Sequence, residues 1–105
     1  MTNAAVVFNA LGDPTRLTIV KRLSIGSYLT ITQVSSGLNI TRQGVRRHLQ
    51  VLEDAELIHL KPMGRDVLVQ LNPHTLEKAK KMITTLEQQW DKRLKDLKNF
   101  VEGNS

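Results

Sequence analysis

The sequence predicts a mostly α chain with a small β-hairpin, its elements running α-α-α-α-β-β-α. Three observations carry this. Helix-start signals stand at Asp13-Pro14, at Thr30-Ile31-Thr32-Gln33 and at Thr41, each ahead of a helical pattern. Residues 57–71 change to alternation, the period of a strand. After Asn72-Pro73 the helical period returns and holds to about residue 101.

Residues 3–11 form a short apolar helix. Asp13 can then accept from free backbone N–H groups, and Pro14 suits a first helical position. Leu17, Ile19, Val20 and Leu23 follow at helical spacing until Gly26-Ser27 ends the run. Thr30 and Gln33 form a capping box, opening a short helix that stops near Gly37. Thr41 caps the next helix, which runs to about Ala55. Short helices separated by a turn of a few residues suggest a helix-turn-helix over about 30–55.

Ile58, Leu60, Val67, Val69 and Leu71 alternate on either side of Pro62-Met63-Gly64-Arg65-Asp66, which reads as a hairpin over about 57–71. The last helix carries Leu76, Ala79, Ile83, Leu86, Trp90, Leu94, Leu97 and Val101 as one stripe. At 1.5 Å per residue it spans roughly 40 Å, more than a three-helix core needs. Part of the stripe must find cover elsewhere.

The chain has 105 residues, 40% apolar and 24% charged, with no linker, repeat or low-complexity stretch. That is the composition of a single domain, residues 1–105, with its own core. It has no cysteine, which excludes a disulfide framework, a thiolate metal site and a redox switch. The longest apolar run, Ala4 to Phe8, is too short to cross a membrane, and no basic segment precedes it. A soluble cytoplasmic protein is expected.

The net charge is +5, spread as +2, +1 and +2 over residues 1–40, 41–72 and 73–105. The excess favours a polyanion, nucleic acid before a membrane surface. It forms no tail, so a binding face must come from folding. Only Phe8, Tyr28, Trp90 and Phe100 are aromatic, too few to stack single-stranded bases, so duplex is favoured.

On a wheel of the 42–55 helix, Arg42, Gln43, Arg46, Arg47 and Gln50 share one arc without an acid. Gly44, Val45, His48, Leu49, Val51, Leu52 and Ala55 share the opposite arc and anchor it. Arginine suits guanine and glutamine suits adenine, and the first half of such a helix reads the major groove. Glu53 and Asp54 lie at the far end, where they would repel phosphate. Residues 41–47 are therefore the docking half. At the hairpin tip Arg65 can enter a minor groove, and Lys61 can meet phosphate. Taken alone, three arginines on a helix are an ordinary solvated face; the turn before and hairpin after them raise the DNA reading.

The remaining candidates read blandly. His48 is a positioning histidine of the inward arc, while His59 and His74 are solvated. Trp90 belongs to a core or interface before a ligand pocket. No Cys nucleophile, Gly-x-Ser-x-Gly turn or phosphate loop supports catalysis. Glu53, Asp54 and Glu56 form a solvated cluster, and the chain is not read as an enzyme.

Three stretches in order resemble the ArsR/SmtB family of winged helix-turn-helix repressors. They are Ala10-Leu11-Gly12-Asp13-Pro14-Thr15-Arg16-Leu17, then Thr41 through Leu57 around Arg47-His48-Leu49-Gln50-Val51-Leu52, then Gly64-Arg65. Trp90-Asp91-Lys92-Arg93-Leu94 with Leu97 resembles members with a long final helix. The resemblance implies a homodimer joined by the first and last helices, about 3–11 and 73–101, through Phe8, Leu86, Trp90, Leu94 and Leu97. It further implies an inverted-repeat operator, repression, and an effector that releases the DNA. DNA contacts then fall to Thr41, Arg42, Gln43, Arg46, Arg47, Lys61 and Arg65.

Two departures stand out. The family's thiolate pair aligns with Thr30 and Thr32, and its zinc ligands with Asn72, His74, Thr85 and Gln88. One good ligand of four does not close a zinc site, so no metal or other cofactor is expected. Two other readings compete. One is a winged-helix module that docks a protein partner through the last helix. The other is a metal sensor with an unrecognised site.

Overall fold

The structure, a computed structural model, describes residues 3–25 and 28–103. In chain order come α1 (Ala4–Leu11), α2 (Pro14–Ile25), β1 (Leu29–Thr30), α3 (Ile31–Ser35), α4 (Arg42–Asp54), β2 (Ile58–Met63), β3 (Asp66–Leu71) and α5 (Pro73–Gly103). The expected stop at Gly26-Ser27 lies outside the described residues. The winged helix-turn-helix fold expected from the sequence is present.

The expected caps form. Asn3 Oδ1 accepts from Val6 N at 2.9 Å, and Asp13 Oδ2 from Arg16 N at 3.0 Å. Thr30 and Gln33 close both arms of the capping box, at 3.1 and 2.9 Å. Helix α4 ends at a left-handed Glu56, φ 60°. There Glu56 N donates to Glu53 O and Leu57 N to Leu52 O, both at 2.9 Å. This pairing satisfies carbonyls of the last turn and packs Leu57 near Leu52. It also turns the chain directly into β2.

The sheet is antiparallel in the order β1-β3-β2. Strand β1 was not expected. It is two residues long, too short to show alternation, and Thr30 serves both as its end and as the cap of α3. The hairpin loop is also tighter than the sequence suggested. Met63 pairs with Asp66, so only Gly64-Arg65 form the turn, with Gly64 at φ 62° in the first place. A two-residue turn of that kind matches strand twist and favours glycine there. Pro62 is tolerated because β2 is an edge strand.

Ile19, Leu23, Val34, Leu49, Leu52, Leu57, Ile58 and Val69 are fully buried where α2, α3, α4 and the sheet meet. The anchoring arc of α4 is narrower than the wheel suggested: Val51 is exposed and His48 half-buried. Leu17 of α2 is also exposed. Helix α5 buries only Thr75 and Ala79, and every described residue from Lys80 onward is exposed. The radius of gyration, 18.4 Å, exceeds the value of about 13 Å for a compact chain of this length. The molecule is 69 Å long because α5 projects from the body.

Candidate nucleic-acid interface

Thr41 starts α4. Its Oγ1 accepts from Gly44 N at 3.0 Å, which satisfies one free donor of the first turn. A Cβ on Gly44 would stand 3.3 Å from that Oγ1, so glycine leaves the cap room. Arg42, Gln43, Arg46 and Arg47 follow, all exposed. Their side chains have no hydrogen-bond or ion-pair partner among the described residues. The row is open and free of acids at its leading end.

The structure divides this row. Arg42 and Arg46 line one cleft with Ile31 and Thr32 of α3 and with Arg65, Asp66 and Val67 of the wing. Three guanidinium groups thus border a hollow with one carboxylate. Gln43 and Arg47 lie outside it. Gln50, placed on the same arc by the sequence, is turned toward the helix end, its Nε2 donating to Asp54 Oδ1 at 2.8 Å. Lys61 is exposed on the other face of the hairpin, beside Tyr28, Met63, Leu68 and Gln70. It is therefore not gathered with Arg65. Thr32, considered in the sequence only as a metal position, belongs to the cleft.

Two positioning arginines escaped sequence reading. Arg22 Nη1 donates to Val34 O at 3.0 Å and to Ser36 O at 2.6 Å, tying α2 to the end of α3. Arg16 binds the end of α1 and approaches His48 on α4. Neither partner lies within a helical turn of its arginine, so no local pattern could announce it. Asp13, the cap of α2, has its carboxyl held below the usual value, chiefly by the Arg16 backbone N–H and also by His48 and the Arg16 charge.

His59 and His74 are exposed. The zinc-aligned positions do not fit a metal. Asn72 spends its amide on backbone, Nδ2 donating to Glu56 O and Oδ1 accepting from His74 N. The Thr85 hydroxyl donates to Lys81 O. Thr30 is committed to its capping box.

On α5, Leu86, Trp90, Leu94 and Leu97 are all exposed, Trp90 by 57%. Phe8 is half-buried and packs partly against its own core.

Residues 11–61 match the model of a helix-turn-helix domain family. An HTH-type transcriptional regulator of Mycobacterium tuberculosis is 32% identical over 96 residues, spanning 91% of this chain and 86% of that protein. The transcriptional repressor SdpR of Bacillus subtilis is 32% identical over 71 residues, 68% of this chain and 78% of its own. A solved ArsR-like transcriptional regulator from Rhodococcus is 27% identical with a TM-score of 0.73, over 92% of this chain and 91% of that one. The chain belongs to the ArsR family of winged helix-turn-helix transcriptional regulators. This ArsR-family regulator therefore works by binding DNA. Its relatives are regulators rather than enzymes. No helix among the described residues is long and apolar enough to cross a membrane.

Proposed function

We propose that this ArsR-family regulator is a homodimeric repressor that reads an inverted-repeat operator on duplex DNA. One observation carries the DNA side: the unpartnered, acid-free row from Thr41 to Arg47 opens beside the wing. Helix α4 enters the major groove by its first half. Arg42, Gln43, Arg46 and Arg47 meet base edges and adjacent phosphates. Arg65 reaches a minor groove from the wing tip. Lys61 meets phosphate on the wing's outer flank, and Thr41 adds a phosphate contact to its capping role.

The dimer forms through α1 and α5. Leu86, Trp90, Leu94 and Leu97 present an apolar stripe that the protomer leaves in water, and Phe8 borders it from α1. Exposed apolar surface of this extent marks an interaction site. Repression is supported by the relative named a transcriptional repressor. The test is selection of a random duplex pool on the purified protein at about 150 mM salt. An inverted repeat with half-sites about one helical turn apart is expected. No enrichment from an intact dimer would sink the operator reading and favour a protein partner for α5.

A further inference from the structure

The Gly12-Asp13-Pro14-Thr15-Arg16 stretch has so far only started a helix, yet its arginine reaches in two directions. Arg16 Nε donates to Ala10 O at 2.6 Å and Nη2 to Asn9 O at 3.4 Å. These are carbonyls of the last turn of α1, which lack partners within the helix. Arg16 Nη1 stands 3.4 Å from Nδ1 of His48, which lies on α4 one residue after Arg47. A guanidinium has no acceptor, so Nδ1 holds the lone pair in this contact. Asp13 closes the group: its Oδ2 accepts from Arg16 N at 3.0 Å and lies 3.8 Å from His48 Nδ1. One rigid fork thus grips the end of α1 and the middle of the reading helix at once.

We infer that Arg16, with His48 as its partner, is a positioning residue that sets the reading helix relative to the dimer-forming helix α1. The inference rests on the homodimeric repressor reading. A dimer reads two half-sites only if its two α4 helices stand one helical turn apart. Each protomer's α4 angle against α1 enters that spacing, so a loose joint is felt twice on a repeat. Random duplex has no register to miss.

The test compares wild type, Arg16→Ala, Arg16→Lys, His48→Ala and the Arg16→Ala/His48→Ala double variant. Binding is measured on the repeat recovered by selection and on random duplex of equal length, with sedimentation reporting the dimer. Arg16→Ala should weaken repeat binding about tenfold. Its random-duplex affinity should stay within about twofold of wild type. Arg16→Lys should not rescue, because an ammonium cannot span Ala10 O and His48 together. The double variant should be no worse than Arg16→Ala alone, which is the signature of a shared contact.

Equal losses on both duplexes would overturn the inference in favour of plain destabilisation or a phosphate contact. Unchanged repeat binding, or additive effects of the two substitutions, would overturn it as well. Should Arg16→Ala fail to fold, the half-exposed His48→Ala must still lower the repeat-to-random ratio. Recovery of no repeat by wild type would remove the repressor reading, and this joint with it. Recovery of a repeat to which every variant binds alike would remove the joint alone.

Discussion

Trp90→Ala should take the dimer apart without damaging the protomer. Trp90 leaves 57% of its surface in water. For a side chain of about 250 Å², that is roughly 140 Å² per copy. At about 25 cal/mol per Å², full cover of both copies contributes about 7 kcal/mol to a symmetric interface. Alanine keeps some cover and packing at an interface is incomplete, so about half of this is expected to be lost. A loss of about 3 kcal/mol raises the dimer Kd more than a hundredfold. Sedimentation equilibrium over a wide concentration range measures it directly. Trp90 is the sole tryptophan, so its emission in wild type should also shift to the red as dilution separates the copies. A variant that dimerises like wild type, with helicity intact, would refute the assignment of this stripe.

Arg46→Ala should lose about 1–3 kcal/mol on the selected operator and much less on random duplex. Lys61→Ala should weaken both alike and reduce the salt slope by about 0.9; the reverse pattern in titrations would exchange their roles. Thr41→Ala removes the bond to Gly44 N and should lower stability in urea by about 1 kcal/mol, with Thr41→Ser close to wild type. Equal stability of the Ala and Ser variants would show that the cap does not act as described. Asp13 has its carboxyl held below the ordinary 3.8, so its stabilisation is complete above that value and is lost as pH falls through the folded value. Asp13→Asn keeps a capping oxygen and should flatten the fall in Tm below about pH 4; an unaltered acid limb would contradict this.

Much of the fold was legible because its signals are local. Thr30-x-x-Gln33 and Thr41 marked helix starts through side chains that bond backbone three residues on. The α5 stripe was legible because its period persists for many turns. The hairpin was legible from alternation, but its loop was not: whether Pro62-Met63 and Asp66 pair is decided by the opposing strand. Strand β1 had no signature, since Leu29 and Thr30 are extended only against Val69 and Leu68. Within the candidate site, the open arginine row could be read from a wheel. Its division, with Arg42 and Arg46 turned to the wing cleft, could not.

By itself the sequence determined where helices begin, which faces seek burial and which row of residues stays free of acids. Those properties depend on neighbours within one turn or one strand period. Tertiary structure decided which side of the wing Lys61 occupies, how narrow the buried arc of α4 is, and which carbonyls Arg16 and Arg22 satisfy. Long side chains find their partners only after helices pack. A buried carbonyl at a helix end accepts whichever donor the packed fold brings within about 3 Å.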